Sequence, residues 1–580
     1  TLCGAAATSL VLWGCSGAGA TTESFERSDY YTRGIGQYPG NPKEDFSPDL
    51  APDKSNYRNI ALLRSAFNSS SHDYNLTAQL VTDGIVTDQQ PQYLILSTPA
   101  GEAPRREREW MIDEGPYSRN TFEGADTYFQ FALKNYSKQA DKLVLTGTLI
   151  YDDQLAKDGY EIICQGSNDG QNWTEVGKLS GKGLPGDAVR YRMPVTDPNK
   201  QTEQISMPVR KLNETITFDK EANYSNYRVL LKMAGAHSWV FTAADFYNKD
   251  GMVEMKPSQF FNSAWMSATT GEEWLYVDLG SQSEFDKVVL RWINKAVKGK
   301  VQVSDNAEQW TDVAELPGGE ELVDEISLNG KKNARYVRIL MQQPANDSRY
   351  ILSELEVMGK GGLVPQPVAA PAASKGEIYL SGGNWKLQRA SEITATGEEI
   401  STPGFQPENW VVATVPGTVL SSYKNIGAIA DPNYADNQLQ ISESFFNSDF
   451  WYRDEFEVPA DFKQDRVFLN FDGINWKANV YVNGKQAGRI EGAFMRGKFD
   501  VTDLIVPGKN VVAVEIIKNQ HIGAIKEKNA QSTDFNGGIL GADNPTFHAT
   551  IGWDWIPTMR GRNIGIWNDV FLTTTGKVTV

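Results

Sequence analysis

Cysteine is nearly absent from this chain. Only Cys3, Cys15 and Cys164 occur in 580 residues, so no disulfide framework can staple the fold. The four histidines, His72, His237, His521 and His548, are scattered, and neither H-E-x-x-H nor C-x-x-C appears; the usual zinc arrangements are excluded. No apolar run reaches about 18 residues, so no transmembrane helix is expected. There is no G-x-S-x-G nucleophile elbow. Gly181 to Gly186 fits G-x-G-x-x-G, but Pro185 would stop the helix that such a loop must open, and the stretch reads as an ordinary loop. Positive charge is in deficit, with 56 Lys and Arg against 73 Asp and Glu for a net −17. That excess of carboxylates argues against nucleic acid or an anionic membrane surface as partner.

What is plentiful points to strands and turns. Fifteen Trp and 23 Tyr, with 51 Gly and 26 Pro, suit an all-β protein that handles neutral polymers. At ~100–200 residues per domain the length predicts three or four domains. From about Asn59 onward short β runs follow one another, among them Lys142–Thr148, Tyr160–Cys164 and Trp274–Gly280, the last alternating with period two. Gly361–Ala373 is Pro- and Ala-rich and reads as a semi-rigid linker. Asn483-Gly484 predicts a type I′ hairpin, with Ala478, Val480 and Val482 facing a core and Asn479 and Tyr481 facing outward.

An internal repeat is visible. Gln165, Ser167, Trp173, Thr174, Val176 and Leu179 recur as Gln302, Ser304, Trp310, Thr311, Val313 and Leu316, at a constant offset of 137 (302 − 165). Tyr227-Arg228-Val229-Leu230 finds an echo in Val337-Arg338-Ile339-Leu340. Two copies of one β module are expected. Ser263-Ala264-Trp265, Trp274–Gly280, Ser304 to Trp310, Tyr336 to Arg338 and Glu354–Val357 resemble discoidin-type modules, the C-type domains of coagulation factors 5 and 8. The second copy, 251–361, matches well; the first, 58–250, carries insertions and matches in parts. The resemblance implies β-sandwiches that bind glycans through loops at one end, and it admits a structural calcium.

The last third carries the most informative segment. Gly552-Trp553-Asp554-Trp555-Ile556-Pro557 sets two indoles around a carboxylate, and Arg562-Asn563 follows. Indole faces stack on sugar rings, and a carboxylate accepts hydrogen bonds from paired hydroxyls. With Trp451–Val458, Phe471–Lys485, Asn510–Ile516 and Arg562–Val570, this stretch resembles the N-terminal jelly roll of family 2 glycoside hydrolases, of the β-mannosidase and exo-β-glucosaminidase branch. The resemblance implies that Asp554 contacts hydroxyls of the −1 sugar, that Trp553 or Trp555 walls the pocket, and that Arg562 and Asn563 line or brace it. The alternative is that one indole is core and Arg562 pairs with Asp569.

The expectation is therefore an all-β chain of three β-sandwich or jelly-roll, galactose-binding-like domains in series. The boundaries read as 1–19 signal remnant, 20–57 extended lead-in, 58–250 and 251–361 discoidin-type sandwiches, 362–377 linker and 378–580 jelly roll. Retaining hydrolysis needs two carboxyl groups roughly 5–5.5 Å apart, which this family places on a (β/α)₈ barrel of about 250 residues. Nothing in the chain alternates strand and helix that way, and the one Asn-Glu pair, Asn213-Glu214, reads as coincidence. The catalytic glutamates and the barrel are expected beyond Val580, with no catalytic residue in this chain and no cofactor required.

Leu10–Ser16 resembles the end of a bacterial lipoprotein signal, with lipidation at Cys15. That implies an exported protein in the periplasm or on the cell surface, touching a membrane through a lipid anchor alone; an unstructured start with a free thiol is the alternative. The partner expected is a glycan. Two other readings of the whole remain, a non-catalytic lipid-anchored glycan-binding protein and an adhesion or scaffold protein.

Overall fold

The computed structural model describes residues 45–578 apart from 100, 103–119, 124–125, 135–136, 152–158, 185, 195–203, 234–236, 254–260, 347, 367–375, 383, 463, 519–522, 526–537, 541–559 and 562. Strands form because apolar residues recur every second position. On Glu273–Asn294, Leu275, Val277 and Leu279 are buried, while Trp274, Tyr276 and Asp278 between them are half-buried. The longest α-helix among the described residues is the seven-residue Val419–Asn425.

Three antiparallel β units follow one another, each with its own core. The first joins two six-stranded sheets. One is ordered Thr174–Gly181, Tyr160–Ser167, Asn226–Met233, Asp126–Lys134, Tyr93–Thr98 and Gly101–Glu102; the other centres on Gln204–Tyr224, Lys138–Tyr151 and His237–Asn248. Phe129, Leu143, Ile162, Cys164 and Val229 fill the space between them. Asn213 and Glu214 lie in the middle of a ladder, opposite Thr146 and Leu145, as a plain strand pair.

The second unit is built on two 22-residue strands, Glu273–Asn294 and Val323–Pro344, paired along their length. Register breaks between Asp278 and Ser283 and between Phe285 and Lys287 let one ribbon serve both walls of the sandwich. Gly280 sits at the first break with φ +77°, and a Cβ there would come within 2.4 Å of Leu363 Cδ1. Only glycine fits both demands.

The third unit has a six-stranded sheet, with Phe450–Val458, Gly508–Ile517 and Lys477–Val482 at its centre, and a four-stranded sheet, with Val570–Thr575 and Arg466–Phe471 at its centre. Ala478, Val480 and Val482 are buried and Asn479 and Tyr481 are half-buried, as the alternation requires. Asn483 and Gly484 both take positive φ, +47° and +83°, as the tight turn requires.

The chain before residue 90 departs from the boundaries read from the sequence. Arg58–Asn59 pairs with Ile351–Lys360, and Ala66–Asn68 pairs with Glu273–Asn294, so residues 58–68 complete the second sandwich rather than opening the first. Leu50–Pro52, expected as part of an extended lead-in, forms a two-stranded sheet with Leu363–Pro365, expected as linker. Next comes a 3₁₀ turn, Ala78–Val81, whose Leu80 enters the core of the third unit. The reason is physical: edge strands with unpaired N–H and C=O groups and an apolar turn gain most where they close an open sheet and fill a neighbouring core. Neither gain leaves a local sequence signal.

Candidate carbohydrate site

Of the five residues expected to touch sugar, Trp553, Asp554, Trp555 and Arg562 lie outside the described residues, as does Cys15. Asn563 is placed, and its surroundings are described. A small three-stranded sheet, Gly417–Thr418, Gly565–Ile566 and Ile474–Asn475, bridges the third unit at this point. Thr418 caps the helix Val419–Asn425, its hydroxyl accepting from Ser421 N at 3.0 Å, while its backbone pairs with Gly565. Gly565 needs to be glycine, since a Cβ would meet Thr418 Cα at 2.8 Å and φ is +141°. Ile564 and Ile566 are buried on either side of it and hold the return strand in place.

Asn563 is half-buried with φ +51°, a left-handed conformation that Asn tolerates better than most residues. Its carbonyl accepts from Asn475 Nδ2 at 2.8 Å. Asn475 is fully buried, and its Oδ1 has no hydrogen-bond partner among the described residues. A buried amide oxygen without a donor is costly. The next residue, Trp476, is buried with the ammonium of Lys477 4.1 Å from its ring centroid. The peptide between Asn475 and Trp476 is cis. Trp567 packs against Gly473, where an added Cβ would come within 2.4 Å of the indole.

On the other flank, Arg560 is buried, donates to Ile441 O at 2.7 Å and lies over the Tyr74 ring at 5.8 Å. Asp569, the alternative partner of Arg562, accepts from Ser381 Oγ at 2.9 Å. The described surroundings of Asn563 are thus Asn475, Trp476 and Trp567, with Arg560 three residues before it. Asn475 and Trp476 stood in the sequence only as part of a strand motif; their adjacency to Asn563 depends on a contact across 88 positions. A hollow of about 410 Å³ on the six-stranded sheet, lined by Lys386, Phe405, Pro407, Arg453, Glu455 and Lys509, contains none of them. Among the described residues no three His, Cys, Asp or Glu side chains converge as a metal site.

Comparison with known proteins bears on the same region. Residues 385–568 match the family described as glycosyl hydrolase 2 galactose-binding domain-like, and residues 241–355 match the F5/8 type C domain. The chain carries both of these domains. Its homologues are glycoside hydrolases. A mannosylglycoprotein endo-beta-mannosidase of Lilium longiflorum is 35% identical over 213 residues, covering 35% of this chain and 22% of that protein. An exo-beta-D-glucosaminidase of Streptomyces avermitilis is 31% identical over 220 residues, 37% of this chain and 21% of that protein. A beta-mannosidase of Rattus norvegicus is 28% identical over 174 residues, 27% of this chain and 19% of that protein. The chain spans about a fifth of the length of these relatives. Within the galactose-binding-like domain, the Asn475–Asn563 contact and the three-stranded bridge lie inside the matched span.

Proposed function

We propose that this chain is the carbohydrate-binding front portion of a family 2-like retaining β-glycosidase of β-mannosidase or exo-β-glucosaminidase type, and that its galactose-binding-like domain presents Asp554 to the terminal sugar. The observation that carries the reading is the 385–568 match together with relatives that are glucosaminidases and mannosidases over that span. The described residues nearest Asp554 in the chain are firmly held, Arg560 and Gly565 being buried and Asn563 bonded to the buried Asn475, and firm anchoring of this kind is what a binding segment needs. Asp554 would accept from sugar hydroxyls, an indole of Trp553 or Trp555 would stack on the ring, and Asn563 would set the angle of the loop. The two glutamates of retaining hydrolysis would be supplied by a catalytic barrel outside these 580 residues. A lipid on Cys15 would hold the protein at the periplasmic or outer surface of a bacterial membrane.

The test is direct. The 580-residue chain is expected to hydrolyse neither 4-nitrophenyl-β-mannoside nor 4-nitrophenyl-β-glucosaminide. A longer product of the same gene is expected to hydrolyse one of them and to lose most of that turnover on Asp554→Ala. Turnover by the 580-residue chain itself, abolished by the same substitution, would overturn the division of labour proposed here. A gene that stops at Val580 would favour the non-catalytic glycan-binding reading.

A further inference from the structure

The hollow of about 410 Å³ on the six-stranded sheet of the third unit is used by none of the assignments above. Strand register builds its floor. Lys386 stands opposite Arg453 and Glu457 opposite Lys509, while Arg453, Glu455 and Glu457 recur at every second position of Phe450–Val458. All five therefore lie on one face of the sheet. The segment 402–410 forms a side wall, and Arg453 holds it down by donating to Ile400 O at 2.9 Å and to Thr402 O at 3.0 Å. Phe405 N donates to Thr402 O at 3.2 Å, and the Phe405 ring meets Trp410 edge-on at 5.8 Å. Phe405 and Pro407 give the hollow an apolar side, and the exposed amides of Asn384 and Gln406 also line it.

Three cations, Lys386, Arg453 and Lys509, line the hollow against two carboxylates, Glu455 and Glu457, which leaves one positive charge over. The pairing shows where that charge sits. Arg453 Nη2 lies 2.6 Å from Glu455, and Lys509 Nζ lies 3.6 Å from the same carboxylate. Glu457 faces Lys509 across the ladder. Lys386 is half-buried, and its Nζ makes no hydrogen bond or ion pair among the described residues. Burial lowers its pKa below the ordinary 10.5, with no neighbouring carboxylate acting against the shift. A partly desolvated ammonium without a counter-charge costs free energy. In a chain of net −17, which has carboxylates to spare, the missing counter-charge is the unexplained feature of this face.

We propose that this hollow binds a hexuronate residue, a sugar ring carrying one carboxylate, and that Lys386 takes the carboxylate. The proposal goes beyond the function given above, since no residue of the candidate carbohydrate site lines the hollow. One surplus positive charge selects a monoanion over a neutral sugar, because only the anion supplies the counter-charge that Lys386 lacks. The apolar side suits the C–H face of a ring, and the flanking amides suit its hydroxyls. A short aliphatic or inorganic anion would satisfy the ammonium and leave those other groups unused. Polyanions are repelled at long range by a chain of net −17. The free acid and the acidic end of a glycan present the same ring and carboxylate, and the experiment separates them.

Isothermal titration calorimetry of the 580-residue chain with sodium D-glucuronate tests this. The parent chain is expected to bind glucuronate, and to bind D-glucose and sodium acetate at least about tenfold more weakly. Lys386→Met keeps the apolar stem and removes the unpaired charge. It is expected to melt at or above the parent's temperature and to lose about tenfold or more in glucuronate affinity. Lys386→Gln is the second variant and is expected to behave likewise. Methyl β-D-glucuronide bound as tightly as the free acid would assign the hollow to the end of a glycan. Refusal of that glycoside, with glucuronate still bound, would assign it to the free acid. A parent that does not bind glucuronate would overturn the proposal, and so would folded Lys386→Met and Lys386→Gln chains that bind it as the parent does. Acetate or glucose bound as tightly as glucuronate would refute it too, the first by showing a site for any small anion and the second by showing that the charge is not read.

Discussion

Leu80 offers the sharpest test of how the chain is assembled. It belongs to the turn that follows the strands closing the second sandwich, yet it is fully buried in the core of the galactose-binding-like domain. Removing three carbons from such a position costs about 2–5 kcal/mol, through lost transfer energy and the cavity left behind. Hydrogen bonds along the same seam show how much else would loosen. Arg64 donates to Ile426 O at 2.6 Å, Ser442 donates to Asn75 O at 2.7 Å, Glu443 N donates to Tyr74 O at 2.9 Å, and Ser442 N donates to Gln79 Oε1 at 3.0 Å. Each contributes about 1 kcal/mol net, so the seam as a whole is comparable to a small core. The second and third units are therefore expected to melt as one transition in differential scanning calorimetry of the full chain. Leu80→Ala is expected to lower that transition by roughly 5–15 °C or to split it in two. Leu143→Ala, in the core of the first sandwich, is the control and is expected to shift a different transition. If Leu80→Ala leaves the galactose-binding-like domain's melting unchanged, Leu80 does not belong to that core and the revised boundaries are wrong.

Other expectations follow from single groups. Asp454 is buried on an inward position of Phe450–Val458, and burial pushes its carboxyl up to about 8 from an ordinary 3.8, against the backbone N–H groups of Glu455 and Asn384 and the Arg453 charge. Because the folded state holds that proton more tightly, the stability is fully present below the unfolded value. It falls as pH rises through the window between 3.8 and about 8, by up to about 1.4 kcal/mol per pH unit. Urea unfolding of Asp454→Asn should show a flatter pH dependence, and an unchanged slope would contradict the assignment. Asp83 and Glu354, near each other at the seam, are both held above the carboxylate range by burial, so Asp83→Asn is expected to stabilise the seam at pH 8 and to change little at pH 4, read by calorimetry. Asn475→Ala removes the bond to Asn563 and should cost about 1–2 kcal/mol in chemical denaturation and weaken sugar binding, with binding at parental strength counting against an anchoring role. Gly484→Ala forces a Cβ into positive φ at the hairpin and is expected to cost about 1–2 kcal/mol.

Period-two alternation along Trp274–Gly280 and Ala478–Val482, the Asn483-Gly484 turn and the internal offset of 137 residues were all legible in the amino-acid string. Each is set by neighbours a few positions away or by a simple internal comparison, and local sterics and pleat geometry turn them directly into strands, faces and turns. The jelly-roll motifs were legible for the same reason, and so were the galactose-binding-like and F5/8 type C characters of the chain. Other features required the folded chain. Residues 58–68 close the second sandwich, Leu80 sits in another unit's core, Asn475 meets Asn563, and Phe67, Tyr276, Arg338, Gln302 and Asp312 fall into one row. These contacts join positions tens to hundreds of residues apart. Which edge is left open, and which core has a gap, is decided by strand order and register, and no short stretch of sequence carries that information.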